Sequence, residues 1–173
     1  LIYVAGLQDD TDRPAEAMAT IRRSIAAAEP FDVGVRVGAA MGVASLTAER
    51  GDPRAAAHAA DAVALSRTAG TPEQLAAVLP TAATICWQVG ALEQARAHVA
   101  EAMPLHAGGK RIARVVLLSG AAALALADGD LRTAVEHGRT ADAEAAELGV
   151  GREAPLIRSV LAYEAPTPWA PWW

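Results

Sequence analysis

Aromatic side chains, sulfur and lysine are scarce in this 173-residue chain. Seven aromatics are present, four Trp, two Tyr and one Phe. A core assembled around large rings is therefore excluded, and helix interfaces must be made from Ala, Val, Leu and Ile at short range. The single cysteine, Cys86, excludes an internal disulfide and fits a reducing cytoplasm. The basic residues are 14 Arg and the lone Lys110, against 20 carboxylates, for a formal charge of -5. Arginines dispersed among carboxylates do not make the one-faced basic patch that phosphate binding needs, so no direct nucleic-acid binding is expected of this segment. The longest charge-free stretch, Gln74 to Leu92, holds Gln74, Pro80, Thr81, Thr84, Gln88 and Gly90. That polarity argues against a membrane span. The chain opens Leu1-Ile2-Tyr3-Val4-Ala5 with no basic leader and no methionine, inside a helical pattern, and reads as a piece of a longer polypeptide.

Alanine is abundant, with 44 residues, and it is periodic. Gly51-Asp52-Pro53, Gly90-Ala91-Leu92 and Gly129-Asp130-Leu131 stand 39 residues apart, with Asp12-Arg13-Pro14 one step earlier. Ala5, Ala44, Ala83 and Ala122 precede these turns by a constant interval, and Ala17, Ala56, Ala95 and Ala134 follow them by another. A fixed period of this size predicts stacked helical hairpins, each burying its apolar face on the next. The expected helices are Val33 to Arg50 and Arg54 to Thr68, Glu73 to Val89 and Ala91 to Met103, then Arg111 to Ala127 and Leu131 to Leu148. A partial unit, 1–8 with 14–28, precedes them. A single helix, Glu153 to Glu164, follows, and from Ala165 the Pro- and Trp-rich tail 165–173 is expected to be extended. Thr71 is the expected cap of its helix, with Pro72 in the first turn. Pro80 is expected to kink its helix near Leu79, and Pro104 to end the next one at Met103.

The turn at Gly129, with Ala134 and Ala141 after it and Ala122 before it, resembles the tetratricopeptide pattern of small and large residues. Gly90, Ala83, Ala95 and Ala102 repeat it. Gly51, Ala44 and Ala56 repeat it in part, with Val63 in place of the last small residue. The 39-residue period and the alanine bias are similar to the longer tetratricopeptide-like arrays in the carboxy-terminal parts of large actinobacterial transcriptional regulators of the LuxR and antibiotic-regulator types. The resemblance implies an all-α superhelical solenoid of about four hairpins over residues 1–164, cytoplasmic, acting as a non-enzymatic interaction or regulatory module. It implies a concave groove lined by the first helices, with Met41, Ser45, Glu49, Thr84, Trp87, Gln88 and Ser119 as candidate contacts. The implied occupant is a protein or peptide partner; the alternative is a small-molecule or signal-peptide effector bound in the same groove. A homodimer is a separate possibility for the chain.

Other motifs fail their context tests. Gly109-Lys110 lacks both the leading glycine and the following Ser or Thr of a phosphate loop, and Gly149-Val150-Gly151 follows a helix where a dinucleotide fingerprint would follow a strand. Both are expected to be helix stops. Gly34, Gly38 and Gly42 are expected to pack closely on a return helix. His98 and His137, one period apart, are expected at a surface or an interface, and Cys86 in the core. Glu136, Asp142, Glu144 and Glu147 are expected to form a solvated helix face. No catalytic, cofactor or metal set is expected.

Overall fold

A computed structural model of the chain describes residues 32–106 and 111–149, with Glu16, Ala19, Thr20, Arg23 and Ala26. The partial first unit is thus mostly outside the described residues. Gly109, Lys110, the helix expected at 153–164 and the tail 165–173 are wholly outside them. The described residues are all-α, in six helices: α1 Val33–Ala48, α2 Arg54–Ala69, α3 Pro72–Gln88, α4 Leu92–Leu105, α5 Arg111–Ala127 and α6 Leu131–Leu148. The chain divides into two compact units, Leu1–Ala107 and Gly108–Trp173. In the first, α1 packs on α2 and α3, α2 on α3, and α3 on α4; in the second, α5 packs on α6.

The 39-residue period is a backbone period. Gly51, Gly90 and Gly129 have φ of 67°, 77° and 77°, a left-handed conformation that is strained for any residue with a Cβ. Each ends its hairpin's first helix with the same pair of bonds. The glycine N–H donates to Ala48, Trp87 or Leu126, and the next N–H donates five residues back to Thr47, Cys86 or Ala125. The small residues flanking these turns are the ones buried. Ala44, Ala83 and Ala122 are at most 2 % exposed, and Ala56, Ala95 and Ala134 at most 6 %. Ala122 and Ala134 meet in one cluster, with Ala125 and Leu126 against it. Further along each return helix Val63, Ala102 and Ala141 are fully buried, so valine serves where the other two hairpins use alanine.

Caps explain the remaining boundaries. Asp32 accepts from Val35 N–H at 3.1 Å, and Asp130 from Thr133 N–H at 3.1 Å. Thr71 and Gln74 form the reciprocal box at the start of α3, with Pro72 in its first turn. Gln74 also accounts for Gly34, where a Cβ would lie 2.8 Å from Gln74 Nε2. Gly38, by contrast, is exposed and faces open space, so the Gly34, Gly38, Gly42 ladder is not the packing seam on a return helix that its spacing suggests. Gly149 stops α6 in the left-handed conformation.

Pro104 does not stop its helix as expected. Helix α4 runs through Pro104 to Leu105 instead of ending at Met103. The carbonyl that loses its donor there belongs to Ala100, which is exposed and open to water. Helix α3 continues through Pro80 to Gln88. Pro80 leaves the Ala76 carbonyl without its helical donor, and the Nε2–H of His106, at the end of α4, donates to that oxygen at 2.7 Å. A side chain from the return helix thus fills the gap made by a proline in its partner.

Candidate interaction surface

The repeat register sorts the candidate residues by the direction they face. Met41, Pro80 and Ser119 are equivalent, one per first helix, and all three are buried. Ser119 is 2 % exposed and its hydroxyl donates to the Val115 carbonyl at 2.7 Å. Met41 and Ser119 therefore occupy the inward position of the register and present little surface to a partner. The tetratricopeptide resemblance put them on the groove, and composition could not correct it because the inward and outward stripes of an alanine-rich helix differ little.

Ser45 and Thr84 are equivalent and half-buried, and Glu49 and Gln88 are equivalent and exposed. One face of α1 runs Gly38, Gly42, Ser45, Glu49, and the same face of α3 runs Ala77, Thr81, Thr84, Gln88, at the four-three-four spacing that keeps residues on one side of a helix. The exposure pattern is identical in both: exposed, half-buried, half-buried, exposed. With α1 packed on α3, two neighbouring helices carry matching low-relief faces of glycine, alanine, hydroxyl and amide groups, with one carboxylate, Glu49. The Thr84 hydroxyl donates to the Pro80 carbonyl at 3.1 Å, which fixes its rotamer and leaves its methyl group and oxygen lone pairs as the contact surface. Gly38, Gly42, Ala77 and Thr81 were not among the sequence-derived candidates. The signal for them was their place in the register beside Ser45 and Thr84.

Trp87 is half-buried beside this face, in the last turn of α3, and its carbonyl accepts the Gly90 N–H at 3.1 Å. In the second unit the equivalent stripe of α5 is Val116, Gly120, Ala123 and Ala127, more apolar, with Gly120 and Ala123 buried.

Several titratable side chains are engaged in structural work. Asp52 caps the Arg54 N–H at 2.9 Å and pairs with the same residue's guanidinium. That pairing holds the Asp52 carboxyl down at about 2. Arg67 and Glu101 join α2 to α4 through a two-pronged ion pair, one prong at 3.0 Å, and the guanidinium lowers the Glu101 carboxyl below its usual range. In the second unit Arg111 pairs with Glu147, and Arg114 with Glu144 at 3.2 Å. Of the four carboxylates expected on a solvated face, two are thus interhelix partners, while Glu136 and Asp142 are exposed.

Cys86 is fully buried, and burial raises its thiol pKa, as suits a core residue. His98 is 7 % exposed, in the interior, whereas His137, one period on, is half-buried. Among the described residues no three His, Cys, Asp or Glu side chains converge as metal ligands would, and no helix is long and apolar enough to cross a membrane. No protein-family model, curated protein or solved structure matches the chain.

Proposed function

We propose that the chain is a tetratricopeptide-like solenoid module that binds a protein or peptide partner along its first helices, as a non-enzymatic part of a larger cytoplasmic bacterial regulator. The observation that carries this reading is the matched face on α1 and α3. The small positions beside each turn stay alanine from hairpin to hairpin, Ala44, Ala83 and Ala122 before it and Ala56, Ala95 and Ala134 after it, while the exposed position at the end of each first helix changes, Glu49 to Gln88 to Ala127. A repeat that keeps alanine beside its turns and varies an exposed position on its first helices suits recognition spread over several hairpins better than chemistry concentrated at one point. The low relief of the matched face lets a partner's backbone come close, so that contacts to Ser45, Thr81, Thr84 and Gln88 supply direction and the glycines and alanines supply room.

The test uses long side chains as obstacles. Screened against a peptide array, the chain should bind a subset of extended or helical peptides, and Gly38→Arg or Ala77→Arg should abolish that binding without lowering the unfolding midpoint. Arginine at Ala57, exposed on α2, should leave it intact. Binding that survives both first-helix variants, or that fails equally with the Ala57 variant, would sink the reading.

Trp87 favours a second reading. A half-buried indole beside a small-residue face offers a flat apolar wall and one N–H donor, which suits a small effector. Native mass spectrometry of the purified chain separates the two. A retained mass of small-molecule size assigns the face to an effector; a bare chain that still binds array peptides keeps it for a macromolecular partner.

A further inference from the structure

His98 has no evident reason to be a histidine. It is 7 % exposed, and neither ring nitrogen has a hydrogen-bond partner. The equivalent residue of α2 is Ala59, fully buried, so the hairpin packs at this position without an imidazole. A neutral ring with two unpartnered nitrogens is a costly substitute for a methyl group.

The surroundings give the imidazole a role. His98 is buried in α4 one turn before Glu101, near enough to the ion pair that ties α2 to α4 for both of its charges to act on the ring: Arg67 on α2 repels a proton, and Glu101 on its own helix attracts one. The titratable groups of α3, also packed on α4, are Glu73 in its exposed first turn and the buried Cys86 thiol. Glu101 is three residues from His98, a neighbour on the same helix face. Both Glu101 oxygens accept from Arg67. Burial, and next the Arg67 charge, press the His98 pKa below its usual value, so the ring stays neutral while the tie is closed.

We propose that His98 is a proton-operated release for the joint between the first two hairpins: once protonated, it draws Glu101 away from Arg67 and the α2–α4 tie opens. An imidazolium carries two N–H donors and a full charge into a site where neither ring nitrogen has a partner, and Glu101, three residues on along the same helix, is the carboxylate that acts on it. Exchanging Arg67 for His98 turns an interhelix pair into one internal to α4 and leaves Arg67, already part-exposed, to water. A group whose pKa is depressed in the fold contributes stability that is fully present above the unfolded histidine value of about 6.5 and is lost as pH falls below it. The joint is therefore closed at neutral pH and loosened by mild acid, independently of what the first-helix face binds.

The test is amide hydrogen exchange on the full chain at about pH 7.5 and about pH 5.5, corrected for intrinsic rates, following the last turn of α2 and all of α4. Protection should fall by at least about threefold in the wild type and by less than about twofold in His98→Ala. Glu101→Gln, which keeps the side chain's shape, should show the weakened level at both pH values. Equal losses in wild type and His98→Ala, or no loss in wild type, would overturn the proposal. Should His98→Ala misfold, nitrogen NMR of the wild type decides. The His98 ring titrating together with a change at Arg67 Nε supports release, and a ring that titrates with Arg67 Nε unmoved refutes it.

Discussion

The hairpins α3–α4 and α5–α6 are built to one register, end their first helices with the same left-handed glycine, and bury alanine at the same flanking positions. They differ in how the middle of the first helix is satisfied. At one point α3 has Pro80 and α5 has Ser119; at the position that faces it from the return helix, the first hairpin has His106 and the second has Ala145. The proline removes a donor and the histidine supplies one, 2.7 Å from the Ala76 carbonyl. The serine removes nothing, and alanine, 3 % exposed, is enough opposite it. Two departures from the repeat, 26 positions apart, are thus a single exchange of a backbone donor for a side-chain donor. A helix interior tolerates proline when the carbonyl it strands has another partner, and the hairpin supplies one from outside the helix.

The largest effect should come from making the second hairpin break the rule. Ser119→Pro strands the Val115 carbonyl, removing the helical N–H and the hydroxyl that now reaches it at 2.7 Å, with only Ala145 opposite. Unfolding by urea, followed by circular dichroism, should show a loss of about 3 kcal/mol or more, the usual cost of an interior proline. A loss below about 1 kcal/mol would mean that α5 satisfies the carbonyl by another route and that the comparison with α3 is empty.

The second prediction removes the compensation from the first hairpin. His106→Ala leaves the Ala76 carbonyl without a donor and should cost about 2 kcal/mol, within the range for an orphaned buried polar group. In a Pro80→Ala background the backbone N–H returns and the same change should cost at least about 1 kcal/mol less. Equal costs in the two backgrounds, measured as a double-mutant cycle, would show that His106 contributes packing alone.

How much of this was legible follows from the range of the interactions involved. The turns and the small flanking positions were readable because a left-handed glycine and a buried alanine are local requirements, repeated at a fixed interval. The cap at Thr71 was readable for the same reason. The His106 bond to Ala76 spans 30 residues, and no local pattern marks it. Whether His98 stood at a surface or at an interface was left open because composition places histidine equally well at either, and its burial answers the question. Met41 and Ser119 were assigned to the groove by the tetratricopeptide resemblance, and composition could not correct it because alanine-rich helices blur the contrast between faces. Comparison with Pro80, a residue that cannot serve as a polar contact, would have placed both inward.

A smaller effect sharpens the comparison at the turns. Asp52 and Asp130 each cap the return helix that follows, and the equivalent residue before α4 is Ala91, with no side-chain cap. The backbone there, φ -80° and ψ 60°, is close to that of Asp130, φ -84° and ψ 78°. Ala91→Asp should therefore accept from Gln94 N–H as Asp130 does from Thr133, and raise stability by roughly 0.5–1 kcal/mol in thermal or urea unfolding. No gain would show that α4, already held by His106 at its far end, does not depend on its N-terminus.

The smallest effect distinguishes the two capping aspartates. Asp52 is held at about 2, first by its side-chain bond with Arg54 and then by the Arg54 N–H. Asp130 is lowered too, but its leading partner is the uncharged Thr133. A carboxyl depressed in the fold contributes stability that is present above its unfolded value, about 3.9, and lost as pH falls toward the folded one. Both turns should therefore hold at neutral pH and weaken in acid, and the Asp52 turn should hold to the lower pH because its partner carries a full charge. Carboxyl carbon NMR over the acid range reads this directly, with the Asp52 midpoint below that of Asp130. Arg54→Gln should bring the two midpoints together, since it removes the guanidinium and leaves the backbone donor in place. Because the Asp52–Arg54 pair is open to solvent, added salt should move the Asp52 midpoint toward that of Asp130 while leaving Asp130 nearly unchanged. Midpoints that coincide in the wild type would show that the backbone donor alone sets the cap, and that the first turn differs from the third only in composition.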